Sequence, residues 1–355
     1  MITSLLRQRR FLAFFVVQFI GAFNDNLYKS ALLVLFALSI HDPTTLSFYT
    51  NLSMALFILP MFICSAWSGL LAEKFEKRTI IIVLKWFEVL IMLLGIIAFW
   101  GQQPLWMIAI LFLLGLQSSF FGPVKYGLLP ERLSDNELMA GNGLVEAGTF
   151  LAILFGTILG AYLIAQETLR TFFYVLMVCS ACLGLGCAYA IPSIETKKMA
   201  IKFKHLPAFH PWRQTRVLLQ YSYQQKEIFA AILGISWFWV IGGLLLTQLP
   251  QFAQTVLRGD EGVMTYLLAL FSVGVGVGSL ASNALSKGRI EIGLVPVGAL
   301  LMSLALYSIT TIAGRELQTL QTLSAFIHDE RFWHTTLAFA ALAFAGGYIL
   351  CHCML

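Results

Sequence analysis

The sequence predicts an all-α integral membrane protein of about ten transmembrane helices, and three observations carry the prediction. Hydrophobic residues make up 59% of the 355 residues and charged residues only 12%, with a mean hydropathy of +0.81. A soluble domain is about 45–50% apolar and about 25% charged. The apolar residues fall into runs long enough to cross a bilayer, which takes about 20 residues each. The basic residues gather on alternate connections between those runs, as the positive-inside bias of membrane proteins requires. A soluble enzyme is excluded on composition.

Ten spans are expected, at 11–38, 46–72, 79–100, 104–122, 143–166, 169–191, 228–249, 263–284, 290–312 and 332–350. Only helices or closed barrels can span lipid, and these runs are too long and continuous for barrel strands. With the N-terminus in the cytoplasm, 17 of the 23 basic residues lie on cytoplasmic segments. Only Arg170, Arg258, Arg315 and Arg331 lie outside, and Lys29 and Lys85 fall within spans. The run after Arg7, Arg9 and Arg10 is too long for a signal peptide, so the first helix is expected to be an uncleaved anchor.

Residues 192–227 form the one long cytoplasmic connection, basic and polar, and are expected to link two bundles. The N-terminal six-helix bundle is placed at 1–191 and an incomplete C-terminal bundle of about four helices at 228–355. His205 and His210 lack a carboxylate or cysteine at metal spacing and read as ordinary loop residues. Gly156-x-x-x-Gly160 and Gly274-x-x-x-Gly278 are small-residue patterns for close helix packing. Ser134-Asp135-Asn136-Glu137 fits a capping box, which predicts a short surface helix between spans four and five. Cys179-x-x-Cys182 lies in an apolar run with no soluble redox context.

Ionisable residues inside spans are costly and mark function by default. Asn24-Asp25-Asn26 with Lys29 is the first such place. Asp25 and Lys29, four apart, share a helix face and are placed to pair. The reading is a substrate or ion site, against a structural ion pair. Glu146, after Gly141-Asn142-Gly143, either meets a cationic headgroup, a proton or Lys29, or is a solvated interfacial carboxylate. Lys85 and Glu88 are read as a structural pair, with Lys85 snorkelling to the cytoplasmic side.

The chain has no Gly-Lys dipeptide, hence no P-loop, and no Gly-x-Ser-x-Gly or His-Glu-x-x-His. It also lacks a His followed five positions later by Asp, the acyltransferase box. No cofactor, metal site or nucleic-acid partner is expected. Any transport is gradient-driven or facilitated.

The segment from Gly69 through Glu73, Lys74, Lys77 and Arg78 resembles the loop signature Gly-x-x-x-Asp-Arg-x-Gly-Arg-Arg of the major facilitator superfamily. Glu76 departs from its second glycine. The resemblance implies a twelve-helix major facilitator fold, with these five residues at a cytoplasmic gate that latches two bundles. Gly21 to Asn26, Phe121 to Gly127 and Gly141 to Ala147 are similar to bacterial lysophospholipid transporters. They are especially similar to the transporter half of bifunctional 2-acylglycerophosphoethanolamine acyltransferase proteins.

That resemblance implies carriage of lysophospholipid, chiefly lysophosphatidylethanolamine, to the inner leaflet of the bacterial inner membrane. A cytoplasmic acyltransferase and an acyl carrier protein ligase are the implied partners there. The family's polar residues fall on Asp25, Asn26, Lys125 and Glu146. Lys29 or Lys125 would meet the phosphate, and Asp25 or Glu146 the ammonium. The site is expected between two bundles at mid-membrane, with alternating access by rocking. Span seven, with Gly243 to Gln248, lacks the basic residue of stand-alone members. Alternatives are a carrier of another amphiphile or drug, and a non-functional truncated remnant.

The final residues bear on the last of these. Tyr348 to Leu355, read with suitable codons from the third base of the Tyr348 codon, yields Tyr-Ile-Val-Pro-Leu-Tyr-Ala. The expectation is a frameshifted chain two helices short of twelve. A metal site at Cys351-His352-Cys353 is the rival reading, though its ligand set is incomplete.

Overall fold

A computed structural model describes residues 2–193, 211–285, 295–312 and 320–353. Thirteen α-helices occupy them. In order they are α1 (Ile2–Leu5), α2 (Arg9–Ser39), α3 (Pro43–Lys74), α4 (Lys77–Gly101), α5 (Pro104–Arg132), α6 (Asp135–Ala165) and α7 (Arg170–Ala190). Then follow α8 (Pro211–Gln224), α9 (Lys226–Thr255), α10 (Glu261–Leu285), α11 (Val295–Thr310), α12 (Leu323–Ile327) and α13 (Phe332–Cys353). Among the described residues nine helices are long and apolar enough to cross a membrane. The run expected at 290–312 appears as α11, whose 16 residues rise about 24 Å, short of a core about 30 Å thick. Part of that run, 290–294, lies outside the described residues, as do 194–210 of the linker, with His205 and His210.

Two compact units divide the chain. One holds Thr3–Arg132 and Phe155–Gln224; the other is built mainly of Leu133–Leu154 and Gln225–Leu355. The core of the first unit is aromatic and aliphatic. Tyr28, Phe99 and Phe173 stack edge to face at centroid distances of 5.0 and 5.3 Å, among Leu27, Met92, Leu111 and Met177. The Tyr28 hydroxyl, which cannot stay unpartnered in that core, donates to Met107 O at 3.1 Å. In the other unit α10 packs along α13, and Phe271, Val275, Ala343 and Leu350 fill the seam.

Backbone proximity explains the glycine patterns. A Cβ on Gly160 would lie 2.3 Å from Leu27 O, and one on Gly156 2.5 Å from Phe23 O, so α6 and α2 approach to backbone contact. Gly278 faces Phe344 O, and Gly347 faces Val275 O, equally closely. Helices in lipid gain no hydrophobic drive from meeting each other, so such close packing supplies the attraction. The outward faces stay apolar, as at Phe62, Ile97 and Trp100. In water such surfaces would associate; here lipid covers them.

The glutamate side of the capping box forms, with a different outcome from the expected short helix. Ser134 N and Oγ both reach Glu137 Oε2 at 3.0 Å. The helix it starts is α6 itself, 31 residues without a break. Gly141 and Gly143 do not interrupt it, because Gly143 is where α6 meets the backbone of Ser279 on α10.

Candidate functional site

The first unit buries a connected polar network around α2. Asn24, Asp25 and Asn26 are all buried in the middle of that helix. Ser118 Oγ on α5 donates to Asp25 Oδ2. Asn24 Nδ2 donates to Glu88 Oε1 on α4 at 2.7 Å, and Asn24 Oδ1 accepts from Ser180 Oγ on α7 at 2.6 Å. Glu88 also accepts from Lys85 Nζ at 2.5 Å and from Gln117 Nε2 at 3.4 Å. Ser118 lies 3.3 Å from Gln117 Oε1, which joins the Asp25 end to the Glu88 end. Four helices are thereby tied by side chains alone, and a buried polar group without such partners would be expensive.

Two expectations change. Lys85 does not snorkel: it and Glu88 are each 1% exposed, a closed ion pair inside the bundle. Lys29 donates to Asn26 Oδ1 at 2.7 Å, while the Asp25 carboxylate is taken by Ser118 from another helix. The Lys29 ammonium also lies 5.4 Å from the Phe57 ring centroid, within cation–π reach. Asn26 Nδ2 turns back to Ala22 O at 2.8 Å, leaving its carbonyl oxygen for Lys29. The α2 cluster therefore presents one acid and one base, each held by a neutral hydrogen-bond partner.

Lys125, on α5, is buried with its ammonium 5.0 Å from the Tyr126 ring. Glu146 belongs to the other unit. It is 1% exposed, so it is not a solvated interfacial carboxylate. One turn earlier, Asn142 donates to Cys351 O at 3.3 Å, and its own Oδ1 is buried without a partner. Cys351 Sγ rests 3.5 Å from Met139 Sδ. The side chains of His352 and Cys353 lie outside the described residues, and no three His, Cys, Asp or Glu residues within them gather around a common point.

The segment 69–78 ends in a basic collar at the close of α7. Arg78 donates to Ile191 O at 2.6 Å and Tyr189 O at 3.3 Å, and Arg9 to Ala190 O at 3.2 Å. Arg132 donates to Pro192 O, and Arg10 to Arg132 O. A helix leaves its last carbonyls without partners, and cations there also meet the negative end of its dipole. Lys77 pairs with Glu131, and Glu76 accepts from Ser193 at 3.0 Å. Glu73 and Lys74 are exposed, and Gly69 has open space where a Cβ would be. Glu131, Tyr189 and Ile191, which receive Lys77 and Arg78, belong to the same unit as those two residues.

Stacked apolar helices with buried charge mark a multi-pass membrane protein, and its family and named relatives make it a transporter rather than an enzyme. Residues 14–351 match the family model described as Major Facilitator Superfamily, and the chain belongs to that family. The chain is similar to a protein named Lysophospholipid transporter LplT in Serratia proteamaculans, 26% identical over 322 residues, covering 87% of this chain and 74% of that one. The protein of that name in Escherichia coli O139:H28 is 27% identical over 297 residues, covering 81% and 69%. Among solved structures, the fucose transporter FucP in an outward conformation superposes with a TM-score of 0.65 at 14% identity, covering 96% of this chain and 88% of that one. The human organic anion transporter MFSD10 gives 0.62 at 12%, covering 98% and 89%. These two likenesses concern the fold alone.

Proposed function

We propose that this transporter carries lysophospholipid, chiefly lysophosphatidylethanolamine, to the inner leaflet of a bacterial inner membrane. The observation that carries the reading is the α2 cluster. Asp25 and Lys29 put opposite charges one turn apart within a lipid-embedded bundle, the complement of an ammonium and a phosphate on one small headgroup. The similarity to lysophospholipid transporters across more than four-fifths of the chain supports it. Asp25, Asn26 and Lys29 are the proposed headgroup contacts, with Lys125 as a further phosphate contact and Glu146 as a further acid. Gly69, Glu73, Lys74, Lys77 and Arg78 are the proposed cytoplasmic gate. Bundles at 1–191 and 228–355, a cytoplasmic N-terminus, and an acyltransferase and acyl carrier protein ligase receiving the product complete the proposal.

The test is headgroup-resolved uptake of labelled lysophospholipid into spheroplasts expressing the 355-residue chain, beside Asp25→Asn and Lys29→Met. Uptake that prefers ethanolamine and is lost in both variants is expected. Uptake indifferent to headgroup, or unchanged in both variants at equal membrane abundance, overturns the assignment.

A further inference from the structure

The helix α8 belongs to none of the spans and takes no part in the polar network. Its sequence, Pro-Trp-Arg-Gln-Thr-Arg-Val-Leu-Leu-Gln-Tyr-Ser-Tyr-Gln, is strongly amphipathic. Arg213, Arg216, Gln220 and Gln224 recur at three- and four-residue spacing and so form one polar stripe. Trp212, Leu218, Leu219 and Tyr221 fall off that stripe by register. On the described side chains the apolar groups are open: Leu219 is 53% exposed, Tyr221 53% and Tyr223 71%. The helix packs against α3, and that contact leaves these three uncovered.

Three facts fix what covers them. The α8 helix runs after a single residue into α9, which carries a candidate span, so its C-terminal end is tethered beside a spanning helix. From 196 to 226 there are seven basic residues, Lys197, Lys198, Lys202, Lys204, Arg213, Arg216 and Lys226, and not one Asp or Glu. The collar of Arg9, Arg10, Arg78 and Arg132 sets more positive charge at the end of α7, where this segment begins. A basic helix with exposed Leu and Tyr matches the interface of an anionic leaflet, where aromatic rings sit at headgroup level and cations meet lipid phosphates.

We infer that α8 is an in-plane helix that docks on anionic phospholipid of the leaflet it faces. Its apolar flank enters the headgroup boundary, and the basic charge of the helix, with Arg216 exposed on it, meets lipid phosphates. At about 1.5 Å per residue the helix covers about 21 Å of membrane surface.

The test uses the full chain in lipid nanodiscs of phosphatidylcholine alone or phosphatidylcholine with phosphatidylglycerol, with hydrogen–deuterium exchange read over residues 211–224. Discs expose both faces and no uptake is measured, so the outcome is independent of orientation and of the transport proposal. Exchange over α8 is expected to be about thirtyfold slower in the anionic discs, the factor that follows from about 1 kcal/mol for each of the two arginines near such a surface. The slowing should vanish in Arg213→Gln/Arg216→Gln and fade as salt is raised, with the spanning helices unchanged in both cases. Equal exchange in the two disc types, or slowing that survives both the double substitution and high salt, overturns the inference.

Discussion

Ser118 on α5 gives its hydroxyl hydrogen to the Asp25 carboxylate on α2, across 93 residues of sequence. The carboxylate is buried, so a neutral donor from a neighbouring helix is what satisfies it. Ser118→Ala leaves that oxygen short of a partner, which costs about 1–3 kcal/mol for a buried group. A lower unfolding temperature in detergent is expected. Asp25→Asn/Ser118→Ala, which removes the charge as well, should lose less than the sum of the two single changes; additive losses would disprove the coupling.

The Lys85–Glu88 pair makes a sharper prediction. Removing one partner strands a buried charge, at about 3–5 kcal/mol, whereas replacing both with apolar groups is often tolerated. Lys85→Met and Glu88→Leu should each reduce folded protein severely. The double variant should recover part of it, although Asn24 and Gln117 then lose their acceptor. Size-exclusion profiles and thermal stability of the three variants decide it.

Helix packing is tested at two glycines. Gly160→Leu drives a side chain into the Leu27 backbone and should abolish monodisperse protein, while Gly186→Leu, with nothing within 4 Å of the added Cβ, should behave as wild type. Fluorescence-detected size exclusion of the two proteins separates these outcomes.

A pH dependence is expected at the loop before α13. Arg331 hydrogen-bonds Asp329 and holds its carboxyl down at about 2, below the usual 3.8. A depressed folded-state value means the stabilisation is fully present above the unfolded value and is lost as pH falls through the folded one. The stability gap between wild type and Asp329→Asn should therefore be constant above about pH 5 and close progressively toward pH 2. Thermal unfolding across that range measures it, and a gap that widens on acidification would refute the argument.

These details mark what sequence reading reaches. Long apolar runs were enough for nine of the ten expected spans among the described residues, because lipid imposes their length directly, while the family was legible only through the short motifs at 21–26, 69–78, 121–127 and 141–147. The capping box was legible too, but not the length of the helix it opens, since the close approach of Gly143 to α10 is a tertiary fact. Helix periodicity put Asp25 beside Lys29; it was silent on Ser118, which arrives from another helix. The run Gln117-Ser118-Ser119, polar inside an apolar stretch, was the signal available for the network's α5 side. Lys85 was misplaced because sequence gives depth along a helix but not which flank faces lipid.

The collar at the end of α7 has a consequence for biosynthesis. Arg9 must wait for Ala190, 181 residues later, and Asn24 for Ser180, 156 later. At about 5–20 residues per second of synthesis, that is an interval of about 10–40 s. Asn26 and Lys29 have partners within α2 itself, but Asp25 waits 93 residues for Ser118, and Asn24 waits 64 for Glu88 and the full 156 for Ser180. So α2, the least apolar of the nine candidate spans, completes its polar network only near the end of that interval. The nascent chain thus carries its most hydrophilic span first and covers it last, a vulnerable interval in which an insertase or membrane chaperone would have something to hold.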